Sequence, residues 1–126
     1  MKKPLALLLL LAAPAIAAAS QLSITRHAFT REIAGREPMD DRQVFKSTEG
    51  VVYFFNQIVY DGSPTEISHV WKYGGEVINE IPLHLEGPNW RTWSNTKVLP
   101  EQTGEWTVEV KADGEAVFSA SFTVEK

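Results

Sequence analysis

The string GEWTVEVKADGEAVFSASFTVE, residues 104–125, decides the fold. Trp106, Val108 and Val110 occupy every second position, Asp113-Gly114 is a turn pair, and Ala116, Phe118, Ala120, Phe122 and Val124 resume the alternation. A period of two sends successive side chains to opposite faces of an extended chain, so the string reads as a β-hairpin with one buried face.

The segments before it repeat the pattern. Trp90 to Leu99 is a strand, followed by a loop from Pro100 to Gly104. Val77, Ile81, Leu83 and Leu85 form the inward face of a strand ending near Gly87-Pro88, and Gly74-Gly75 is a two-residue hairpin signal in front of it. From Thr65 to Tyr73, Ile67, His69, Trp71 and Tyr73 share one face, opposite Glu66, Ser68 and Lys72. Val51 to Tyr60 is apolar on both parities, which predicts a central strand covered on more than one side, and Asp61-Gly62-Ser63-Pro64 closes it with a turn. A first strand lies within Leu22 to Ile33, and a polar, poorly patterned connection runs from Gly35 to Gly50. About seven strands joined mainly by short turns predict an all-β fold, an immunoglobulin-like antiparallel β-sandwich. Trp71 on the third strand and Gly104-Glu105-Trp106 entering the sixth suit the core tryptophan and corner aromatic of such domains.

The N-terminus reads differently. Lys2 and Lys3 precede the apolar run from Leu5 to Leu11, and small residues at Ala15-Ile16-Ala17 or Ala17-Ala18-Ala19 stand before Ser20. This is the pattern of a cleavable signal peptide over residues 1–19; Pro4 and Pro14 bracket a run shorter than the roughly 20 residues of a membrane span. The expected product is one exported β-sandwich domain over residues 20–126, periplasmic or secreted, with no stable membrane insertion after cleavage. Without Lys2 and Lys3 it keeps ten Lys and Arg against sixteen Asp and Glu, a formal charge of −6. Nucleic acid and anionic lipid bind through clustered cations, so neither is an expected partner. Absence of cysteine excludes disulfides, a thiol nucleophile, thiolate zinc sites and lipid attachment through sulfur, so stability must come from packing of four Trp, six Phe and three Tyr.

Several strings together resemble the family known as domain of unknown function 2914: Phe29-Thr30 with Arg36-Glu37-Pro38, Trp71-Lys72-Tyr73, Trp90-Arg91-Thr92 with Ser94, Gly104-Glu105-Trp106 with Val108, Gly114, and Phe122-Thr123-Val124. Trp93 departs from the smaller aromatic expected there, and the usual lysine lies further on at Lys97. The resemblance covers nearly all of the chain after the leader. It implies an envelope-associated β domain and brings no activity.

Two segments are candidates for contact chemistry. On a strand, Trp90, Thr92 and Ser94 share one face and Arg91 and Trp93 the other, so one indole beside a guanidinium is displayed as an apolar plate with a bidentate donor fork. The bland reading packs both indoles and stacks Arg91 on one of them. Arg36-Glu37-Pro38-Met39-Asp40-Asp41, in the long connection, gathers three carboxylates and an arginine. Two carboxylates serve as general acid and base only where their pKa values are pushed apart; otherwise they make a solvated loop. His69 and His84 lie on opposite parities of hairpin-paired strands, which argues against a shared metal and for a core His69. No serine sits in a Gly-x-Ser-x-Gly elbow, and no loop has the acidic alternation of a calcium site.

The reading is a non-catalytic exported binding module of the cell envelope, without cofactor or metal, recognising a protein or glycan through Trp90, Arg91, Trp93, Arg36, Glu37 and Asp40. The alternatives are a structural module pairing its first strand, Leu22 to Ile33, with another chain, and a small hydrolase using Glu37, Asp40 or Asp41.

Overall fold

The computed structural model describes residues 22–126; the proposed leader, residues 1–19, lies outside the described residues. The strands are β1 (Ser23–Thr30), β2 (Ile33–Ala34), β3 (Glu37–Pro38), β4 (Val44–Lys46), β5 (Val51–Val59), β6 (Thr65–Tyr73), β7 (Glu76–Leu85), β8 (Asn89–Lys97), β9 (Gly104–Ala112) and β10 (Glu115–Glu125). They form a three-stranded sheet, β1-β5-β8, a five-stranded sheet, β4-β10-β9-β6-β7, and a small β2-β3 hairpin. The expected immunoglobulin-like all-β architecture is what the chain adopts, and the seven anticipated strands are β1 and β5 to β10.

Aromatic rings close the gap between the layers. Phe29 and Phe54 of the three-stranded sheet stack with centroids 4.6 Å apart, and Phe29 lies 4.7 Å from Phe122 of the other sheet. Trp71 and Trp106 flank Phe122 at 6.2 and 5.9 Å, and both indoles are fully buried. Burying such side chains contributes roughly 25 cal/mol per Å² removed from water, which explains how the fold manages without sulfur bridges.

Two expectations need correction. The connection from Gly35 to Gly50 is not unpatterned: it folds back as the β2-β3 hairpin and then adds β4 in parallel to the end of β10, Val44 opposite Thr123 and Phe45 opposite Val124. β4 has only three residues, of which Phe45 alone is buried, too few to show a period. The first strand lies within Leu22 to Ile33 as expected, ending at Thr30, with Ile33 in the hairpin. Val77 does not face inward; it is 58% exposed. A bulge lies between the Trp71–Asn79 and Lys72–Val77 pairs, so two β7 residues answer one on β6 and parity reverses below Ile78.

The covering hairpin is what positions the candidate residues. Ile33 pairs Pro38 and Ala34 pairs Glu37, leaving Gly35 and Arg36 as a two-residue turn with φ of 60° and 62°. Positive φ at both central positions is the type I′ turn that matches strand twist. Arg36 has a Cβ, so holding it there costs on the order of 1 kcal/mol. Thr30, fully buried, anchors the segment: its hydroxyl donates to Asp40 Oδ1 at 2.5 Å and accepts the Asp40 backbone N–H at 3.1 Å.

Candidate functional site

Register brings three strands into one row on the outer face of the three-stranded sheet: Arg26 opposite Gln57, and Gln57 opposite Arg91. The next row is Ala28, Phe55 and Trp93. Phe55 is fully buried although it points away from the sandwich core, because the hairpin and Arg26, 5.1 Å above its ring, cover it. This is the second buried side expected of β5.

Glu37 is the centre of the arrangement. Arg26 Nη2 donates to its Oε1 at 2.6 Å and Arg26 Nη1 to Oε2 at 3.2 Å, while Arg91 Nη1 donates to Oε2 at 2.6 Å. Hydrogen bonds from Arg26 and then Arg91 hold the Glu37 carboxyl down at about 2. Arg36 has no carboxylate partner among the described residues. Its Nη2 donates to the Arg91 carbonyl at 3.0 Å, and its guanidinium carbon lies 5.3 Å from the Trp93 ring and 5.8 Å from the Trp90 ring. The two indoles lie on opposite faces of β8, so Arg36 sits over the edge of β8 that pairs with no strand.

Five of the six expected residues therefore converge. Trp90 packs partly into the core, Trp93 stays half-buried on the outer face, and the face assignment read from alternation is correct. The stacking cation is Arg36 rather than Arg91. Asp40 stands apart: it pairs with Arg31 and Arg42, which also reach Glu49. Burial pushes the Asp40 carboxyl up, but bonds from Thr30 and Arg31 and the Arg42 charge outweigh it and leave the pKa lowered. Glu37 and Asp40 thus move in the same direction, and neither becomes a proton donor near neutral pH. That is the opposite of the separation acid–base hydrolysis needs.

Sequence reasoning missed Arg26, Gln57 and Phe55. One signal was available: four of the five arginines fall between positions 26 and 42. All five lie on this face or in the segment covering it, and of the Arg26, Arg36 and Arg91 group the first and last share the carboxylate of Glu37. Arg31 and Arg42 are matched by Asp40 and Glu49, so the excess of cation over carboxylate is confined to Arg26, Arg36 and Arg91.

Between the sheets lies a second polar group, sealed from solvent. His69 Nδ1 is 2.6 Å from Ser94 Oγ, His69 Nε2 is 2.8 Å from Asn56 Oδ1, and Trp71 Nε1 donates to Ser94 Oγ at 3.0 Å. Asn56 Oδ1 can only accept, so Nε2–H donates to it, and Nδ1 of the neutral ring accepts from the Ser94 hydroxyl while the Ser94 oxygen accepts from the indole. The expected core histidine is therefore satisfied at both ring nitrogens. Ser94, His69 and Asn56 follow the hydrogen-bond order of a nucleophile, base and orienter. Yet Asn56 and His69 are fully buried, Ser94 is 5% exposed, and its oxygen is already engaged by Trp71. They lock the two sheets in register. His84, 65% exposed, lies 3.9 Å from Glu66, far from this group in role and parity.

Among solved structures, the chain is similar to an immunoglobulin-like protein from Pseudomonas aeruginosa, at TM-score 0.58 and 13% identity over 86% of this chain and 99% of that one. It is also similar to part of the alkylpurine DNA glycosylase AlkC of Pseudomonas fluorescens, solved bound to DNA containing an abasic site analog, at TM-score 0.52 and 14% identity over 84% of this chain and 31% of that one. At these identities the likeness is one of fold. No curated protein matches the chain. The resemblance read from the sequence holds from Trp71 onward, while Phe29, Thr30 and Arg36-Glu37-Pro38 fall outside the matched residues. The segment carrying β6 to β10 matches, over residues 64–124, the model of the family described as "Protein of unknown function (DUF2914)".

Proposed function

We propose that this chain is a non-catalytic interaction module of the cell envelope, exported with loss of its first 19 residues to the periplasm or beyond, and that it recognises a protein or glycan with the outer face of its three-stranded sheet. The observation carrying this reading is Arg36: an exposed guanidinium with no carboxylate partner among the described residues, held in a left-handed turn and laid over Trp93 against the Arg91 backbone. Stacking fixes the fork, so less freedom is lost when it grips a ligand. The acidic remainder of the domain disfavours nucleic acid and anionic lipid as partners. Titration of the processed protein with cell-wall fragments and envelope extracts, followed by tryptophan fluorescence, tests it. A change abolished by Arg36→Ala or Arg91→Ala is expected; no response, or one indifferent to both substitutions, refutes it.

A second reading, strand addition, is favoured by one observation. Among the described residues β1 pairs with no strand but β5, and its outer edge ahead of Phe29, whose carbonyl accepts the Arg42 backbone N–H, is left for a strand of another chain. Photocross-linkers placed at Thr25 and His27 would give adducts under that reading and none under the first.

A further inference from the structure

Glu37 shows what the arginine face is built to hold. Its carboxylate reaches Arg26 and Arg91 from the short extended β3, with the arginines on two strands that do not touch each other. The group gripped is therefore a carboxylate offered by an extended polypeptide, and this chain supplies its own. The hold is light: the Glu37 side chain is 41% exposed, those of Arg26 and Arg91 47% and 36%, and exposed ion pairs of this kind are weak. The hairpin carrying Glu37 has only two residue pairs to itself. An open groove bordered by Arg26, Ala28, Pro38 and Phe55, and also by Asp40 and Asp41, runs beside it, so an incoming strand has access to the Arg26 guanidinium. Arg36 already offers its fork at the other end of the patch.

We propose that the ligand of this face is an acidic, extended protein segment, and that Glu37 is an internal stand-in that such a segment displaces from Arg91 and Arg26. This deepens the reading above and rests on it. Charge complementarity selects the partner: Arg26 and Arg91 share the one carboxylate of Glu37 while Arg36 has no carboxylate partner among the described residues, so the three guanidiniums outnumber it, and planar forks match carboxylates in two-bond geometry. A peptide is favoured over a uronic-acid glycan because the group now seated there is a side chain on a β-strand, and because the Trp93 face on which a sugar would stack is already occupied by Arg36.

The test uses a hexaglutamate peptide at low salt, where surface electrostatics are least screened, with hexaglutamine and tetragalacturonate as parallel probes. Glu37→Gln frees both guanidiniums and is expected to bind hexaglutamate about tenfold more tightly than the wild type. Adding Arg91→Gln to that variant is expected to remove the gain. In the wild type, saturating hexaglutamate is expected to shift the Glu37 carboxyl carbon resonance, a readout that needs no substitution. The proposal is overturned if that resonance stays fixed, if Glu37→Gln gains no affinity while its Trp71 and Trp106 indole signals remain native, or if hexaglutamine or tetragalacturonate binds as tightly as hexaglutamate. An envelope-extract response at Trp93 alongside any of these would leave the recognition face standing and dismiss only the acidic-peptide assignment.

Discussion

Acidification from about pH 7.5 to pH 5 will destabilise this domain through His69, before its carboxylates contribute. Burial holds the His69 imidazole neutral, lowering its pKa from 6.5 to about 3. The unfolded chain takes up a proton near the ordinary value, so the folded state binds fewer protons throughout the interval between. Stability is fully present above that ordinary value and is lost as pH falls, at about 1.4 kcal/mol per pH unit, until the folded imidazole itself protonates. At pH 5 the loss is about 2 kcal/mol, or about 8–16 °C in Tm for a domain of this size. The carboxylates act later. Glu37, Asp40 and Glu49 all have lowered pKa values, so their contributions are lost only as pH falls through and below the usual carboxylate range.

Urea denaturation followed by tryptophan fluorescence, at half-unit pH intervals, measures this slope. The control is His69→Gln, which keeps a polar group able to meet Ser94 and Asn56 and never titrates. It should be less stable than the wild type at pH 7.5, with the two curves converging toward pH 5; His27 and His84 are present in both proteins and cancel in the difference. Parallel curves would refute the assignment of acid sensitivity to the sealed network.

Other perturbations probe separate links. Phe54→Ala, removing a fully buried ring between Phe29 and Trp71, should cost about 3–5 kcal/mol in the same denaturation assay. Val77→Thr should change stability by less than about 0.5 kcal/mol, whereas Leu85→Ala on the same strand should cost about 2–5 kcal/mol; a large effect at Val77 would contradict the bulge. Gly75→Ala meets nothing within 4 Å, so its expected cost of about 1–2 kcal/mol reports the positive φ of 88° alone. Thr30→Val leaves the Asp40 backbone N–H without its hydroxyl partner and should cost about 1–3 kcal/mol, with faster proteolysis between residues 31 and 43.

The long strands were legible because each carries enough alternation to overrule chance. β9 places Trp106, Val108 and Val110 inward without exception, and β8 sorts Trp90 from Trp93 correctly by parity alone. What was not legible depends on pairs distant in sequence. β4 is three residues whose neighbour, β10, lies about eighty positions away, and parallel addition at a strand end leaves no local mark. The β7 bulge inserts one residue without a glycine or proline to announce it, so a correct periodicity gave a wrong face for Val77. The candidate site divides in the same way: Arg36, Glu37, Arg91 and Trp93 stand out as unusual strings, whereas Arg26 and Phe55 matter only because register sets them beside Arg91 and Trp93.

That division bears on which features serve the fold and which do not. The buried group of Asn56, His69, Ser94 and Trp71 uses its polar atoms on one another and, through the Asn56 amide N–H, on the Phe55 carbonyl, and the aromatic core closes the sandwich beside it. The hairpin is built otherwise. It holds a non-glycine residue in a left-handed turn, stacks that residue's charge on an indole, and spends an ionised glutamate on two half-exposed arginines that contribute little stability in water. A covering segment selected only to hide Phe55 would need apolar side chains and a glycine at position 36. Arg36→Gly isolates the difference: it removes the strain of order 1 kcal/mol together with a stacking contact worth about as much, so the melting temperature should hardly move while binding at the arginine face is lost. A large drop in melting temperature would make Arg36 a structural residue and return the face to the fold.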